Sequence, residues 1–172
     1  MDLISQLPES IVHRILSFLV PLHTPPADFV RVSVLSKTWF HLTASYPHLD
    51  FTIRNFTHVS RESFFKYIEY TTSRFCHQNL TAYTLRLITD LRESAELDIV
   101  NRCLELLLQN GVYDLVIGVA NSSESPFAST NYRLPNILLS ISVLDSLDIG
   151  HCELPSSFML DTVMFKSLRP HK

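Results

Sequence analysis

Along the first twenty residues apolar side chains recur at helical spacing, and they cover more of the helix than one buried face needs. Ile11, Ile15, Phe18 and Leu19 form one stripe. Val12, Leu16 and Val20 carry apolar surface well round the cylinder, leaving His13, Arg14 and Ser17 as a narrow wet side. A helix apolar over so wide an arc is normally buried on two sides. Pro8 suits its first turn, where the missing N–H would have had no helical partner, and Glu9 complements the positive end of the dipole. Leu7, a poor cap, offers apolar contact instead. Pro21, Pro25 and Pro26 end the helix and hold a loop. Asp28 can then cap a helical piece over 29–35, and Ser36 a third piece carrying Trp39, Phe40 and Leu42. Three short helices in about fifty residues bury little surface by themselves. A fully buried Leu, Ile or Phe is worth roughly 1.5–3 kcal/mol, so the pattern predicts a partner for this unit.

Beyond Leu49-Asp50-Phe51 the pattern changes to alternating helical and strand-like segments. Ser60 is placed to cap a helix bearing Phe64, Phe65 and Ile68, and a strand-like run follows over 80–87. The spacing of Ile99, Val100, Cys103, Leu104, Leu107 and Leu108 predicts a second helix, with Gly111 where a C-terminal glycine belongs. A second strand-like run covers 112–117. The third is the sharpest: Leu144-x-x-Leu147-x-Ile149-x-x-Cys152-x-Leu154 fits the leucine-rich-repeat template at every fixed position. Val112-x-x-Leu115-x-Ile117 fits less well, with Ala120 at the turn position, and Leu85-x-Leu87 less again. The equivalent leucines at 85, 115 and 147 lie roughly 30 residues apart, room for a helix in each unit. The run 163–168 reads as the start of a fourth repeat, and the chain ends four residues after it. A solenoid needs a polar terminal unit, so the expectation is a shortened or incomplete array with an open edge.

Composition narrows the function classes. Hydrophobic residues make up 46% and charged residues 18%, which suits a packed core. A net charge of −3 supplies no basic footprint for nucleic acid. No apolar run approaches the roughly 18–20 residues of a membrane span, and Asp2, Pro8 and Glu9 interrupt anything like a signal peptide. An intracellular protein, in cytoplasm or nucleus, is expected. Cys76, Cys103 and Cys152, odd in number and widely spaced, suit free thiols rather than a disulfide framework. The eight histidines include no helix-face pair flanking a glutamate and no Cys-x-x-Cys partner, and three glycines make no phosphate loop. No metal, cofactor or catalytic residue is expected.

Two stretches resemble known families. Leu7-Pro8-Glu9 with Ile15-Leu16-Ser17-Phe18-Leu19, then 30–37 and Trp39, is similar to the F-box as written in plant proteins. The loop over 20–29 is longer than usual there, and Thr38 stands where a basic residue commonly precedes the tryptophan. Tyr132-Arg133-Leu134-Pro135 and Cys152-Glu153-Leu154-Pro155, with the repeats, resemble the plant F-box/leucine-rich-repeat proteins. The resemblance implies an α+β chain: a three-helix F-box over 1–50, then a short α/β leucine-rich-repeat solenoid over 51–172 that ends inside a repeat. It implies a non-catalytic substrate-receptor subunit of a Skp–cullin–F-box ubiquitin ligase. The partners would be a Skp-type adaptor, through it the cullin and RING subunits, and a target protein. Carried over to matching positions, Leu7, Pro8, Ile11, Ile15, Leu16, Leu19, Val34, Leu35 and Trp39 would contact the adaptor or support that contact. On strand-facing logic Thr84, Arg86, Ile88, Asp114, Val116, Gly118, Ser146, Asp148 and Gly150 would face the target. A receptor region cut short implies another role, that of binding the adaptor while recruiting nothing.

Overall fold

The computed structural model describes residues 6–19, 43, 45–56, 59–121, 131–155 and 167–170. The first helix, α1, spans Glu9–Leu19. The helices expected at 29–35 and after Ser36 lie outside the described residues.

From residue 48 onward the chain builds a parallel sheet. Its strands are β1 (His48–Thr52), β2 (Ala82–Leu91), β3 (Val112–Asn121), β5 (Ser146–Gly150) and β7 (Ser167–Pro170), adjacent in that order. Every pairing is parallel. Parallel neighbours require a crossover. Between β1 and β2 it contains α2 (Arg61–His77), and between β2 and β3 it contains α3 (Ser94–Asn110). Two short strands, β4 (Tyr132–Arg133) and β6 (Cys152–Glu153), form a separate parallel pair. The two look-alike tetrapeptides are therefore register neighbours, and Leu134 N–H extends the pairing to Glu153 O at 2.9 Å.

The element ends follow from local chemistry. Ser60 Oγ accepts the Ser63 N–H at 3.2 Å and starts α2, as its position predicts. At the other end Asn79 adopts φ 52°, a left-handed conformation that asparagine tolerates better than most residues. Gly111 closes α3 at φ +100°, donates to Leu108 O at 3.2 Å and accepts from Ala82 N–H at 2.9 Å. A Cβ there would lie 3.1 Å from Thr81 Cγ2. Gly111→Ala is expected to cost about 1–2 kcal/mol, through backbone strain and this contact. Urea unfolding with an unchanged m-value checks it.

Register explains the core. Leu49, Leu85, Leu115 and Leu147 are paired neighbours, and the next row is Phe51, Leu87, Ile117 and Ile149. Except for Ile149, which is half-buried, these side chains are buried with Phe64, Phe65, Ile68 and Phe75 of α2 and Val100, Cys103, Leu104 and Leu107 of α3. Both helices thus share one face of the sheet with the leucine ladder. Strand positions between these rows remain only half-buried. All-parallel sheets are usually covered on both faces and read as continuous apolar runs. Here alternation leaves one face without a described helix against it.

Three expectations shift. The unit boundary drawn after residue 50 cuts through β1, whose Leu49 and Phe51 already belong to the sheet's core. The run over 80–87 begins as strand only at Ala82 and continues to Leu91, because Thr89 is buried like an apolar residue and keeps the alternation. Ala120, expected at a turn, pairs with Asp90 inside β3.

A charged cluster ties β2, α2 and α3 together. Arg61, the first residue of α2, holds Glu96 Oε2 with Nη2 at 2.8 Å and Glu96 Oε1 with Nε, while Nη1 reaches Asp90 Oδ2 at 3.2 Å. Arg61 also donates to the Asp90 carbonyl. Glu96 Oε2 accepts the N–H groups of Arg92 at 2.7 Å and Glu93 at 3.3 Å, occupying free donors at the start of α3.

Candidate functional site

Two surfaces carry the sequence's candidate residues. The first is α1. Pro8 O accepts from Ile11 N–H at 2.9 Å and Val12 N–H at 3.1 Å, which fixes the helix start. Val12 and Leu16, four residues apart, are buried. Leu7, Ile11 and Phe18 are exposed to 38%, 45% and 74%, and Ile15 is half-buried. Positions 11, 15 and 18 share a helix face by spacing, with Leu7 in the turn before it. The apolar arc therefore divides into an inward pair and an outward stripe.

This division sorts the expected adaptor residues. Leu7, Pro8 and Ile11 are exposed and Ile15 partly so. Leu16 has no surface to offer a partner, and any part it plays is that of packing beneath the stripe. The side chains of Leu19, Val34, Leu35 and Trp39 lie outside the described residues. Phe18, the most exposed of these apolar residues, was absent from the expected contacts. Its spacing from Ile11 and Ile15 is the signal that marks it.

The second surface is the sheet face turned away from α2 and α3. Strand pairing arranges it in rows. One row is His48, Thr84, Asp114 and Ser146, the next Asp50, Arg86, Val116 and Asp148, and the third Thr52, Ile88, Gly118 and Gly150. The expected target-facing residues thus come together on one face. In the third row a Cβ on Gly118 would meet Gly150 O at 3.7 Å, an ordinary contact, so the glycines leave the row low without being sterically required. Asp50 accepts from Thr52 Oγ1 at 2.6 Å. At His48 burial lowers the imidazole's proton affinity, the Asp114 carboxylate raises it and His13 lowers it, with a net downward shift.

His48, Asp50 and Thr52 were missed as members of these rows. The signal is Tyr46-x-x-Leu49-x-Phe51, the same spacing as Leu144-x-x-Leu147-x-Ile149. It lies within the stretch whose pattern is dominated by the N-terminal helix, ahead of the first repeat-like run.

The thiols are placed for structure. Cys152 Sγ accepts Val119 N–H at 3.4 Å and donates to Gly150 O at 3.2 Å, and burial pushes its thiol up to about 11. Cys103 lies 3.1 Å from Thr72 Oγ1, and burial pushes it up to about 12. Both stay protonated at neutral pH, which removes the nucleophilic form. Among the described residues no group of three or more His, Cys, Asp or Glu side chains is positioned to hold a metal ion, and no helix is long and apolar enough to cross a membrane.

Residues 4–49 match the F-box domain. The chain is 30% identical to an F-box/LRR-repeat protein of Arabidopsis thaliana over 163 residues, 88% of this chain and 25% of that protein. A putative F-box/LRR-repeat protein of the same plant is 29% identical over 98% of this chain and 32% of its own length. A putative F-box/FBD/LRR-repeat protein, also from Arabidopsis thaliana, is 31% identical over 90% of this chain and 32% of its own. The chain thus spans about a quarter to a third of the length of these relatives. No solved structure matches it.

Proposed function

We propose that this chain, which carries an F-box domain at residues 4–49, is a substrate-receptor subunit of a Skp–cullin–F-box ubiquitin ligase. The observation that carries the reading is the outward stripe of α1, where Leu7, Ile11 and Phe18 stand exposed within the matched segment. Removing large apolar side chains from water is worth roughly 1.5–3 kcal/mol each when complete, so a Skp-type adaptor covering this stripe gains a substantial part of its affinity there. The cullin and RING subunits would follow through the adaptor, in cytoplasm or nucleus. The chain itself would contribute position rather than chemistry, without metal or cofactor.

In this reading the in-register strands are the first turns of a leucine-rich-repeat solenoid. The leucine ladder and one-sided helices support that, as does the Cys152 thiol satisfying the backbone of neighbouring β3 at the turn. The open face, with Thr84, Arg86, Ile88, Asp114, Val116, Ser146 and Asp148, would receive a target protein.

Co-purification with a Skp-type adaptor tests the proposal. Ile11→Asp and Phe18→Asp are expected to abolish capture while leaving thermal unfolding within a few degrees of the parent, because both positions are exposed. Undiminished capture by both variants overturns the assignment. Leu16→Asp is unsuited to the purpose, since charge at a fully buried position reports unfolding.

A further inference from the structure

We infer that Tyr46 is a positioning residue, which with His13 and His48 seats α1 on the first strand of the sheet and so fixes the angle between the two surfaces. That these surfaces hold an adaptor and a target rests on the function proposed above; the seating itself does not.

Five rings run without a break from α1 across the first three strands. His13 meets Tyr46 edge-on, with centroids 5.7 Å apart and planes at 77°. Tyr46 lies 4.9 Å from His48, His48 5.5 Å from Tyr83, and Tyr83 5.8 Å from Tyr113. Backbone pairing fixes the sheet end of this series, with Tyr83 N–H donating to Pro47 O at 2.7 Å. At the helix end, His13 Nε2 lies 3.4 Å from Ser45 Oγ. Tyr46 sits between the two ends and is only 6% exposed, while Tyr83 and Tyr113 lie open at the rim. Edge-on and offset ring pairs have a preferred geometry, unlike aliphatic contacts. Tyr46 therefore restrains orientation as well as separation.

The placement of His13 matters. It follows Ile11 by two residues, about 200° round an α-helix. The rings consequently grip α1 from the side opposite the stripe and leave Ile11 and Phe18 uncovered. Linked units move relative to one another unless a contact prevents it, and the described contact between α1 and the first strand is the one made by His13, Ser45, Tyr46 and His48.

The test is a pulsed dipolar distance measurement between labels at exposed Arg14 on α1 and exposed Glu105 on α3. Unnatural amino acids carry the labels, so Cys76, Cys103 and Cys152 remain untouched. The full chain is measured alone and with a Skp-type adaptor. The parent and Tyr46→Phe, which keeps the ring, are expected to give one narrow distribution. Tyr46→Ala, and His13→Ala should the first variant not fold, are expected to lose it for a broad one, with adaptor capture retained. A broad distribution in the parent, or an unchanged narrow one in the folded alanine variants, overturns the inference. Failure of the parent to capture adaptor overturns the proposed function instead, and the distances in the free chain still decide the seating.

Discussion

Leu115→Ala is expected to lower the free energy of unfolding by about 3–4 kcal/mol, within the range for emptying a well-packed leucine site. Leu115 is almost fully buried in β3, with Leu85 and Leu147 as its paired neighbours. The cavity would open in the middle of the leucine row, where strands on both sides hold the backbone against collapse. Val116→Ala, one residue on and half-buried, is expected to cost about 0.5–1 kcal/mol, since its side chain lies on the open face. Urea unfolding of the two variants measures the contrast directly. Equal losses would contradict the assignment of these neighbours to opposite faces.

The second large effect belongs to Arg61. Arg61→Ala is expected to cost about 3 kcal/mol at neutral pH, because it leaves the Glu96 carboxylate with most of its surface buried and its guanidinium partner gone. Burial pushes the Glu96 carboxyl up, but the Arg61 hydrogen bonds and the Arg92 N–H more than offset it, holding the group below the ordinary glutamate value. Asp90 is depressed in the same way, with burial opposed by the charge of Arg61. A carboxyl with a depressed folded value stabilises the protein above the unfolded pKa, roughly 4 for these groups. That stabilisation is lost as pH falls through the folded value. The difference between parent and Arg61→Ala should therefore be largest at neutral pH and shrink on acidification below about pH 4. Thermal unfolding at a series of pH values checks it, and a difference that widens with acid would refute the electrostatic explanation. Glu96→Gln separates charge from shape, since it removes the ion pair while preserving most of the side chain's volume.

Much of the sheet region was legible in the sequence because its signals are local. Ser60 and Gly111 mark helix ends through the geometry of single residues, and Leu147-x-Ile149 marks a strand through alternation. Even the rows of the open face could be anticipated, since alternate positions of a strand face opposite ways whatever lies around them. The N-terminal helix was harder. An apolar pattern that runs almost round the cylinder identifies a helix with two dry sides but not which side faces inward, so Leu16 and Phe18 could not be told apart. Their burial depends on distant chain, and it differs completely. The pairing of Arg61 with Glu96 was invisible for the same reason: the residues are 35 positions apart, and ordinary surface helices contain many charged residues. β1 has an equally local spacing, Tyr46-x-x-Leu49-x-Phe51, but one short match with no repeat before it does not by itself announce a sheet.

The open face separates two kinds of sequence freedom. Within each strand, one set of positions answers to the core and the other to whatever lies outside. Thr84, Arg86 and Ile88, half-buried on the open face, can change identity at a smaller cost than Leu85 and Leu87, which hold the architecture from the buried face. The chemistry of the open face can therefore vary at alternate letters, row by row, without renegotiating how the chain folds. On the function proposed above, such a scaffold would let one framework carry many recognition surfaces, differing mainly in the text displayed upon it.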